Sequence, residues 1–353
     1  MSRVRSVLIV ILVATSLTAC AIPHKKGDQK VEKIAANNAE TQQIFTRYRE
    51  TRNLAIKLLD PKPLSTVESG PVLAIDSGSF EVSQRLAKKQ KTDTSTLDVL
   101  DVKSPLVKKY PLWFMAQVRD DSRGVIKVQV FVRESAVDPW LLSASPEILL
   151  DTDLPSLRSG PGDSLIPVGA KGKLSVEMTP QDAADTYAEA LSDPANTAAD
   201  KVENDGFIKQ MRAAEDTNRA LKNVTFSQTW GAEDVQFAAR TQDGGALVFV
   251  TLLRLDTYAV KNGVTVAWPE GSAQEAFLSK AITTWASSAI TTRCCFTCRA
   301  TASASPGRSA STAEWSARKA SEAIQRAALR GRARCRRRPP LSAARSRPRS
   351  RFP

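Results

Sequence analysis

The sequence predicts an α+β fold in which helices followed by a curved antiparallel sheet occur twice along the chain. Apolar residues recur at helical spacing in residues 31–59 and again in residues 179–221. Each stretch precedes runs whose apolar residues alternate with a period of two, which is typical of half-buried strands. Residues 151–172, with three Pro and four Gly, separate the two series and are expected to form a linker.

The first half begins with one long or two consecutive helices over Val31–Leu59, a stretch without Gly or Pro. Asp60-Pro-Lys-Pro63 ends this helical stretch, because Pro has no amide donor and restricts the residue before it. A mostly polar helix or loop is expected around Phe80–Lys91. The alternating runs then predict four antiparallel strands, at Leu97–Val102, Leu112–Val118, Val125–Val132 and Trp140–Ser145.

The second half repeats this order. Thr179 is a suitable N-cap for a helix that continues to about Leu191, and Phe207–Leu221 forms a second helix. Three strands follow, and the turn Gln242-Asp-Gly-Gly245 joins the last two, because Gly supplies the positive φ angles that a tight turn requires. A fourth strand is missing from the sequence as written. The predicted strands are Val224–Trp230, Val235–Arg240 and Ala246–Leu253.

The N-terminus carries the features of an export signal. Arg3 and Arg5 precede the apolar run Val7–Val13, which is too short to span a membrane comfortably. Leu17-Thr-Ala-Cys20 then resembles the lipobox of bacterial lipoproteins, which implies cleavage before Cys20 and a lipid on its sulfur and new N-terminus. An uncleaved anchor is the alternative. Under the lipobox interpretation the protein lies on the outer face of the cytoplasmic membrane, with Ala21–Lys30 as its tether.

The expected organisation is therefore a chain of six segments. They are a signal peptide (1–19), a lipidated tether (20–30), a first α+β domain (31–150), a linker (151–178), a second α+β domain without its last strand (179–280) and a basic low-complexity tail (281–353).

The formal charge of +13 is concentrated at one end of the chain. Residues 291–353 contain fifteen Arg and one Lys against two Glu, a net charge of +14, which leaves −1 on residues 1–290. The body of the protein is electrically balanced, so its charge indicates no nucleic-acid partner. Four of the five cysteines also lie in the last 63 residues, so the body has no disulfide framework.

The tail allows three interpretations. A metal site needs four ligands at suitable spacing, and Cys294, Cys295 and Cys298 have only the distant Cys335 as a fourth. A basic, disordered nucleic-acid-binding segment fits the composition but not an exported protein. The favoured hypothesis is a frameshift between about Phe277 and Ile290. No Val occurs after Val266, and Thr291–Ala302 re-read in another frame yields His-His-Glu-Val-Leu-Leu-Tyr-Val-Pro-Gly-Asp-Gly, a strand followed by a turn.

The repeated order of helices and four-stranded antiparallel sheet resembles tandem domains of the nuclear-transport-factor-2-like (NTF2-like) cone fold. Short motifs, together with the lipobox, resemble an uncharacterised family of lipoproteins from high-GC Gram-positive (actinobacterial) bacteria. That resemblance covers residues 5–275 and implies an envelope location without an established activity. The motifs are Phe45-Thr-Arg-Tyr-Arg, Arg52-Asn-x-Ala55, Leu64-x-Thr-Val-Glu-x-Gly-Pro-Val72, Trp113-Phe and Arg240-Thr-x-Asp-Gly-Gly-Ala-Leu-Val-Phe249.

The residue types needed for common catalytic systems are scarce. The only His, His24, lies in the tether, so Ser-His and Cys-His nucleophiles are excluded from the predicted domains. Carboxylates remain as candidate general bases, among them Asp76, Asp120, Asp121, Glu233 and Asp234. The adjacent pairs Asp120-Asp121 and Glu233-Asp234 fall in predicted turns and are expected to be solvated. The aromatic residues on the strands are expected in the core: Trp113, Phe114, Trp140, Trp230, Phe237 and Phe249.

These patterns favour a non-enzymatic, membrane-anchored lipoprotein that binds a small apolar ligand or another envelope protein. The sequence predicts no cofactor, no metal and no nucleic-acid partner, and Cys20 is its one predicted site residue, for lipidation. The alternatives are an envelope hydrolase or isomerase that uses a pocket Asp or Glu, and a structural accessory protein without a pocket.

Overall fold

A computed structural model describes residues 33–298 apart from residues 89, 91, 93–97, 151–153, 176–177 and 279–280. A boundary between two units of the chain lies at Lys33–Ile34. The elements below belong to the second unit, except the short strand β1 (Lys33–Ile34), which spans the boundary. The predictions for the signal peptide, for the tether with Cys20 and His24, and for residues 299–353 lie outside the described residues.

Two helices begin the first half. Helix α1 (Asn38–Leu58) is a single helix, and the Asn37 side chain caps it by accepting a hydrogen bond from the Glu40 amide at 2.9 Å. It ends at Leu59, a left-handed residue, directly before the Asp60-Pro61 pair, as the sequence predicts. A short 3₁₀ turn (Lys62–Thr66) leads into helix α2 (Gly70–Arg85).

Helix α2 begins ten residues earlier than the sequence predicts. Pro71 lies in its first turn, a position that tolerates Pro because the amide there has no helical partner. Val72, Ile75 and Phe80 are buried along one side of the helix. This apolar side is interrupted by serines and glycines in the sequence, and for that reason the periodicity alone does not reveal it.

The first sheet is antiparallel and contains the four predicted strands. Its strand order is β2-β4-β5-β6, and a further strand, β7, pairs with β5 beyond the end of β6. The strands of this half are β2 (Asp98–Lys103), β3 (Leu106–Val107), β4 (Leu112–Asp120), β5 (Val125–Arg133), β6 (Leu141–Ala144) and β7 (Glu147–Leu149).

The second half also places helices before an antiparallel sheet. Helix α3 (Pro180–Ser192) begins with a capping box between Thr179 and Asp182, a short 3₁₀ turn (Ala199–Lys201) follows, and helix α4 (Gly206–Arg219) comes next. The three predicted strands are confirmed as β8 (Val224–Ala232), β9 (Phe237–Arg240) and β10 (Ala246–Val260). Strand β10 pairs with both β8 and β9.

The structure differs from the prediction that the second half lacks its last strand. Strand β13 (Trp285–Cys298) lies antiparallel to β10 from Ala246 opposite Cys298 to Ala259 opposite Trp285. The long edge of β10 offers backbone donors and acceptors that an extended segment can pair with, whatever its side chains. The three clustered cysteines therefore lie in a strand, and the frameshift stays a prediction.

A small subdomain precedes β13. Strands β11 (Val266–Ala267) and β12 (Ala281–Ile282) pair with each other, and the short helix α5 (Ala273–Phe277) lies between them in sequence. This segment is fixed to α2 of the first half. The Arg85 guanidinium donates to the Ala276 carbonyl at 3.0 Å and lies 5.2 Å from the centre of the Phe277 ring.

The central part of each sheet, β5 with β4 in the first and the first part of β10 in the second, is covered on both faces. Phe114 and Ala116 of β4 pack against the helices of the first half, whereas Met115 between them points to the opposite face. On β10, Val248 faces α3 and α4, and Leu247 faces the other way. The outward faces of the two sheets meet in one apolar cluster, the intersheet core. Its buried members are Met115, Ile126, Val128, Val130, Val132, Ile148, Leu165, Ala239, Leu247 and Phe249.

The expected linker is a strap held against both sheets. We call residues 154–175 the strap. The Leu165 amide donates to the Ser104 carbonyl at 2.9 Å, at the end of β2. The Arg158 amide donates to the Arg240 carbonyl at 2.9 Å and the Val168 amide donates to Ala238 at 2.9 Å, both on β9. Despite its Pro and Gly content, the strap is therefore bonded to both halves along its length.

The intersheet core predicts a strong contrast between two leucines of β10. Leu247 is 2 % exposed and Leu253 is 43 % exposed. We expect Leu247→Ala to lower the free energy of unfolding by about 2–4 kcal/mol, because it leaves a cavity between the sheets. The matched variant Leu253→Ala should change the free energy of unfolding by less than about 0.5 kcal/mol. Urea unfolding followed by circular dichroism measures both, and equal losses would contradict the intersheet core.

Candidate functional site

A cleft of about 410 Å³ lies under the strap, beside the intersheet core. We call it the interlayer cleft. This volume is within the range of pockets that hold small molecules. Its walls come from β2, β4, β5, β10 and the first part of the strap, so both halves of the chain contribute. The apolar side chains that line it are Met115, Ile126, Leu150, Leu154, Pro155, Leu157, Leu165 and Leu247, and its polar lining includes Asp101, Lys103, Gln117, Arg158, Ser159 and Asp163.

An ion pair lies in the wall of the interlayer cleft. The Lys103 ammonium on β2 binds the Asp163 carboxylate on the strap, and Ser159 donates a hydrogen bond to the same carboxylate at 2.6 Å. The hydrogen bond between Lys103 and Asp163 raises the pKa of Lys103 and lowers the pKa of Asp163. Both groups are therefore charged at neutral pH, and the pair fixes the strap turn to the sheet.

Two further charges line the cleft without such a partner. Asp101 and Arg158 make no side-chain hydrogen bond or ion pair within the part of the chain that the structure describes, although the charge of Asp101 acts on Lys103. Asp101 precedes Lys103 by two residues on β2 and so shares its face of the strand. Arg158 lies on the strap and is exposed. The cleft therefore presents one available anion and one available cation above an apolar floor.

None of the acids singled out in the sequence lines the interlayer cleft. Asp121 is exposed at the β4–β5 turn, and Glu233 and Asp234 are exposed after β8, which confirms that these turn acids are solvated. Asp120 is buried, contrary to that prediction. Burial acts to raise its pKa, but hydrogen bonds from Lys127 (2.7 Å) and Ser122 (2.6 Å) outweigh burial and lower the pKa of Asp120.

Asp76 belongs to a buried group of charges between α1 and α2. The Arg52 Nε atom lies 3.3 Å from the Asp76 carboxylate, and Arg52 also interacts with Tyr48 and Glu68. Burial acts to lower the pKa of Arg52, but these partners outweigh burial and raise it. Tyr48, Arg52 and Glu68 come from three of the short motifs noted in the sequence, so these motifs converge on one place in the fold.

A second group of charges lies under α4, on the inner face of the second sheet. The Arg254 guanidinium lies 3.0 Å from the Asp256 carboxylate and 5.5 Å from the centre of the Trp230 ring. Gln228 donates to Asp256 at 2.9 Å and accepts from the Trp230 indole at 2.8 Å. Arg254 and Asp256 are 6 % and 1 % exposed, so the pair is removed from water.

Helix α4 adds a second carboxylate to this group. Glu215 is buried and lies 2.9 Å from Arg212 and 2.7 Å from Arg219. Burial raises the pKa of Asp256, the charge of Arg254 opposes that effect, and the negative charge of Glu215 adds to it. The group is packed between apolar residues, which indicates that it positions α4 on the sheet.

The aromatic residues follow the prediction that they belong to the core. Phe114, Trp140, Trp230 and Phe249 are buried. Trp113 and Phe237 are partly buried in the intersheet core, with ring centres 5.6 Å apart. They join the two halves rather than forming an open stacking surface.

Two further properties concern the described residues alone. They include no group of three or more His, Cys, Asp and Glu residues arranged to hold a metal ion. None of the helices described is long and apolar enough to cross a membrane.

The fold and the cleft define a class: an α+β protein whose two antiparallel sheets share a core and enclose a small-molecule-sized cleft. The chain belongs to the family described as Domain of unknown function (DUF8094), whose model matches residues 33–319. It is similar to an uncharacterized lipoprotein of Streptomyces avermitilis, with 28 % identity over 72 % of this chain and 76 % of the relative. It is also similar to an uncharacterized lipoprotein of Streptomyces coelicolor, with 25 % identity over 72 % of this chain and 77 % of the relative. No solved structure matches the chain.

The sequence did not point to the residues that line the cleft. Asp101 lies on the polar side of the predicted strand Leu97–Val102, Lys103 directly follows that strand, and the strap residues fall in the expected linker. One usable signal was the apolar run Ala246–Leu252, whose lack of alternation is typical of a strand covered on both faces. It indicated a second layer against the sheet, and the cleft lies beside that contact.

The buried pair in the second half predicts a pH-dependent loss of stability. Arg254→Met leaves Asp256 buried without its cation and should lower the free energy of unfolding by about 3–5 kcal/mol at neutral pH. Since the pKa of Asp256 is raised above its ordinary 3.8 in the folded chain, folding favours the protonated carboxyl. Stability is therefore lost as the pH rises from the pKa of Asp256 in the unfolded chain to its pKa in the folded chain. In Arg254→Met the pKa of Asp256 in the folded chain is higher still, so this variant loses more stability over the same rise in pH.

Chemical denaturation at several pH values measures this loss. The double variant Arg254→Met/Asp256→Asn should remove the part of the pH dependence that Asp256 causes, because position 256 then has no carboxyl group to titrate. The exposed control Arg119→Met should cost less than about 1 kcal/mol at every pH. A loss in Arg254→Met that stays constant with pH would contradict this description of the pair.

Proposed function

We propose that the chain is a lipid-anchored envelope protein that binds a small amphipathic ligand in the interlayer cleft and does not act as an enzyme. The observation that carries the proposal is the cleft itself, in which the partly exposed apolar residues Leu150, Leu154 and Leu157 lie beside polar and charged groups of β2 and the strap. Such a surface buries an apolar body and leaves a polar head at the rim. The placement of two helices over one face of each antiparallel sheet supports assigning the two halves to the NTF2-like cone fold.

Anchoring rests on the sequence before the described residues. Leu17-Thr-Ala-Cys20 has the pattern of a lipobox, and the two Streptomyces relatives are named lipoproteins. A lipid on Cys20 would hold the protein on the outer face of the cytoplasmic membrane through a short tether.

Binding is favoured over acid–base catalysis by the state of the cleft's groups. Asp163 is engaged by Lys103, and this hydrogen bond lowers the pKa of Asp163, which makes the carboxylate a weaker base. Asp76 and Asp256 have arginine partners and lie outside the cleft lining. A hydrolase or isomerase that uses a pocket carboxylate remains the alternative, and turnover that disappears in Asp101→Asn would support it.

The methionines offer a direct test of ligand binding. Met115 lines the interlayer cleft, whereas Met211 is a residue of α4 and lies in the core between that helix and the second sheet. The two methyl groups therefore report on different places. With ¹³C-methyl methionine in the full chain, held in lipid nanodiscs, we expect added 1-octanol to shift the Met115 resonance in a saturable way. The Met211 resonance should stay in place, because no part of it lines the cleft. Met115→Leu and Met211→Leu assign the two signals.

A matched pair of tryptophan variants controls this test. Ser156→Trp places a large side chain at the cleft and should abolish the shift of Met115. Ser227→Trp adds the same side chain on the exposed face of β8 and should leave the shift unchanged. An absence of any shift in the wild-type chain, or equal effects of the two variants, would reject the cleft as the binding site.

Replacing the predicted lipidation site tests the anchor separately. Cys20→Ala removes the sulfur that would carry the lipid, so the chain should remain unprocessed or leave the membrane fraction. Fractionation and intact-mass measurement of both proteins give the result. Normal processing together with membrane retention of the variant would contradict lipid anchoring.

A further inference from the structure

We infer that the ligand of the interlayer cleft is a zwitterionic amphiphile, with an apolar chain and a head group that carries one positive and one negative charge. This inference rests on the proposed function, since it names the chemical class of ligand for the same cleft. The inference is drawn from the charged side chains of the cleft that remain without an ion pair once Lys103 and Asp163 bind each other.

Four charged side chains line the cleft, two of each sign. Lys103 and Asp163 bind each other, and Ser159 also donates to Asp163, so this pair is committed to holding the strap. Asp101 and Arg158 are left without an ion pair in the described part of the chain. A ligand with a single charge would meet one complementary group and one repelling or unmatched group. A zwitterion can complement both, which is the electrostatic match that gives specificity at a polar rim.

The two available charges stand on different elements. Asp101 is on β2, in the first sheet. Arg158 is on the strap, and its backbone amide donates a hydrogen bond to the Arg240 carbonyl of β9. The intersheet core and the Lys103–Asp163 pair fix these elements before a ligand arrives. The backbone that carries each charge therefore needs no rearrangement, and only the two side chains are ordered on binding. Beside them, Leu150, Leu154 and Leu157, which line the cleft and are only partly buried or exposed, provide apolar surface for a chain.

Four octyl probes that differ only in the head group test this assignment. They are N-octyl betaine (zwitterionic), octanoate (anionic), octyltrimethylammonium (cationic) and 1-octanol (neutral). Affinities come from the Met115 methyl shift of the full chain in nanodiscs of anionic lipid. Comparing variants with the same probe cancels the probe's partition into the lipid. The variants are Arg158→Gln, Asp101→Asn and the exposed control Lys222→Gln, which lies outside the cleft.

The expected results form a crossed pattern. Once each affinity is corrected for the probe's partition into empty nanodiscs, the wild-type chain should bind the betaine more tightly than 1-octanol. Arg158→Gln should weaken octanoate and betaine binding by about threefold to tenfold and should not weaken the cationic probe. Asp101→Asn should weaken cationic and betaine binding to a similar extent and should not weaken octanoate. Lys222→Gln and every 1-octanol affinity should be unchanged, since neither involves the two cleft charges.

Two results would overturn the zwitterion. They are a betaine affinity no greater than that of 1-octanol, and a uniform weakening of all four probes in both variants. In either case a retained 1-octanol shift at Met115 would leave the proposed cleft function standing. Replacing the anionic nanodisc lipid by zwitterionic phosphatidylcholine separates two sources of the ligand. Weaker betaine binding in those discs supports a membrane lipid as the competing ligand, and unchanged binding supports a soluble amphiphile.

Discussion

The contact between the outward faces of the two sheets is the constraint on which the rest of the structure depends. A sheet that buries one face under helices can leave the other in water, but β5 and the first part of β10 are buried on both faces. Leu247 and Phe249 of one half pack with Val128 and Val130 of the other. The strap completes this contact, because its backbone is bonded to β9 and to the end of β2. The interlayer cleft is the part of this intersheet space that side chains do not fill.

Buried charges give each half a second constraint. Arg52 with Asp76, and Arg254 with Asp256, place ion pairs where water is largely excluded, and such pairs are costly unless their geometry is satisfied. Each pair connects or lies beneath a helix that covers a sheet, so it adds a polar contact to the apolar packing of that helix. The middle layer combines apolar packing with the hydrogen bonds of the strap. The cleft lies at the edge of this middle layer.

Local structure was predictable from the sequence because local rules determine it. Thr179 and the Asp60-Pro61 pair mark helix ends, and the Gly244-Gly245 turn joins β9 to β10. The end of β10 was missed because Arg254 and Asp256 interrupt its apolar pattern, although both are buried by partners distant in sequence. The hydrogen bonding of the strap to both sheets could not be predicted from the sequence for a related reason. Its Pro and Gly residues are typical of linkers, and only tertiary hydrogen bonds, which no local pattern encodes, hold it in place. The cleft could not be predicted for the same reason, because residues from both halves of the chain line it and no local pattern shows that they come together.

Hydrogen exchange of the strap amides is the most direct test of the shared middle layer. In the structure, the amides of Arg158, Leu165 and Val168 donate to Arg240, Ser104 and Ala238. If the two sheets and the strap form one unit, these three amides exchange as slowly as the amides of β5, because all open only when the middle layer opens. If the segment is a linker between independent domains, they exchange within seconds while β5 remains protected, and that result would contradict the account.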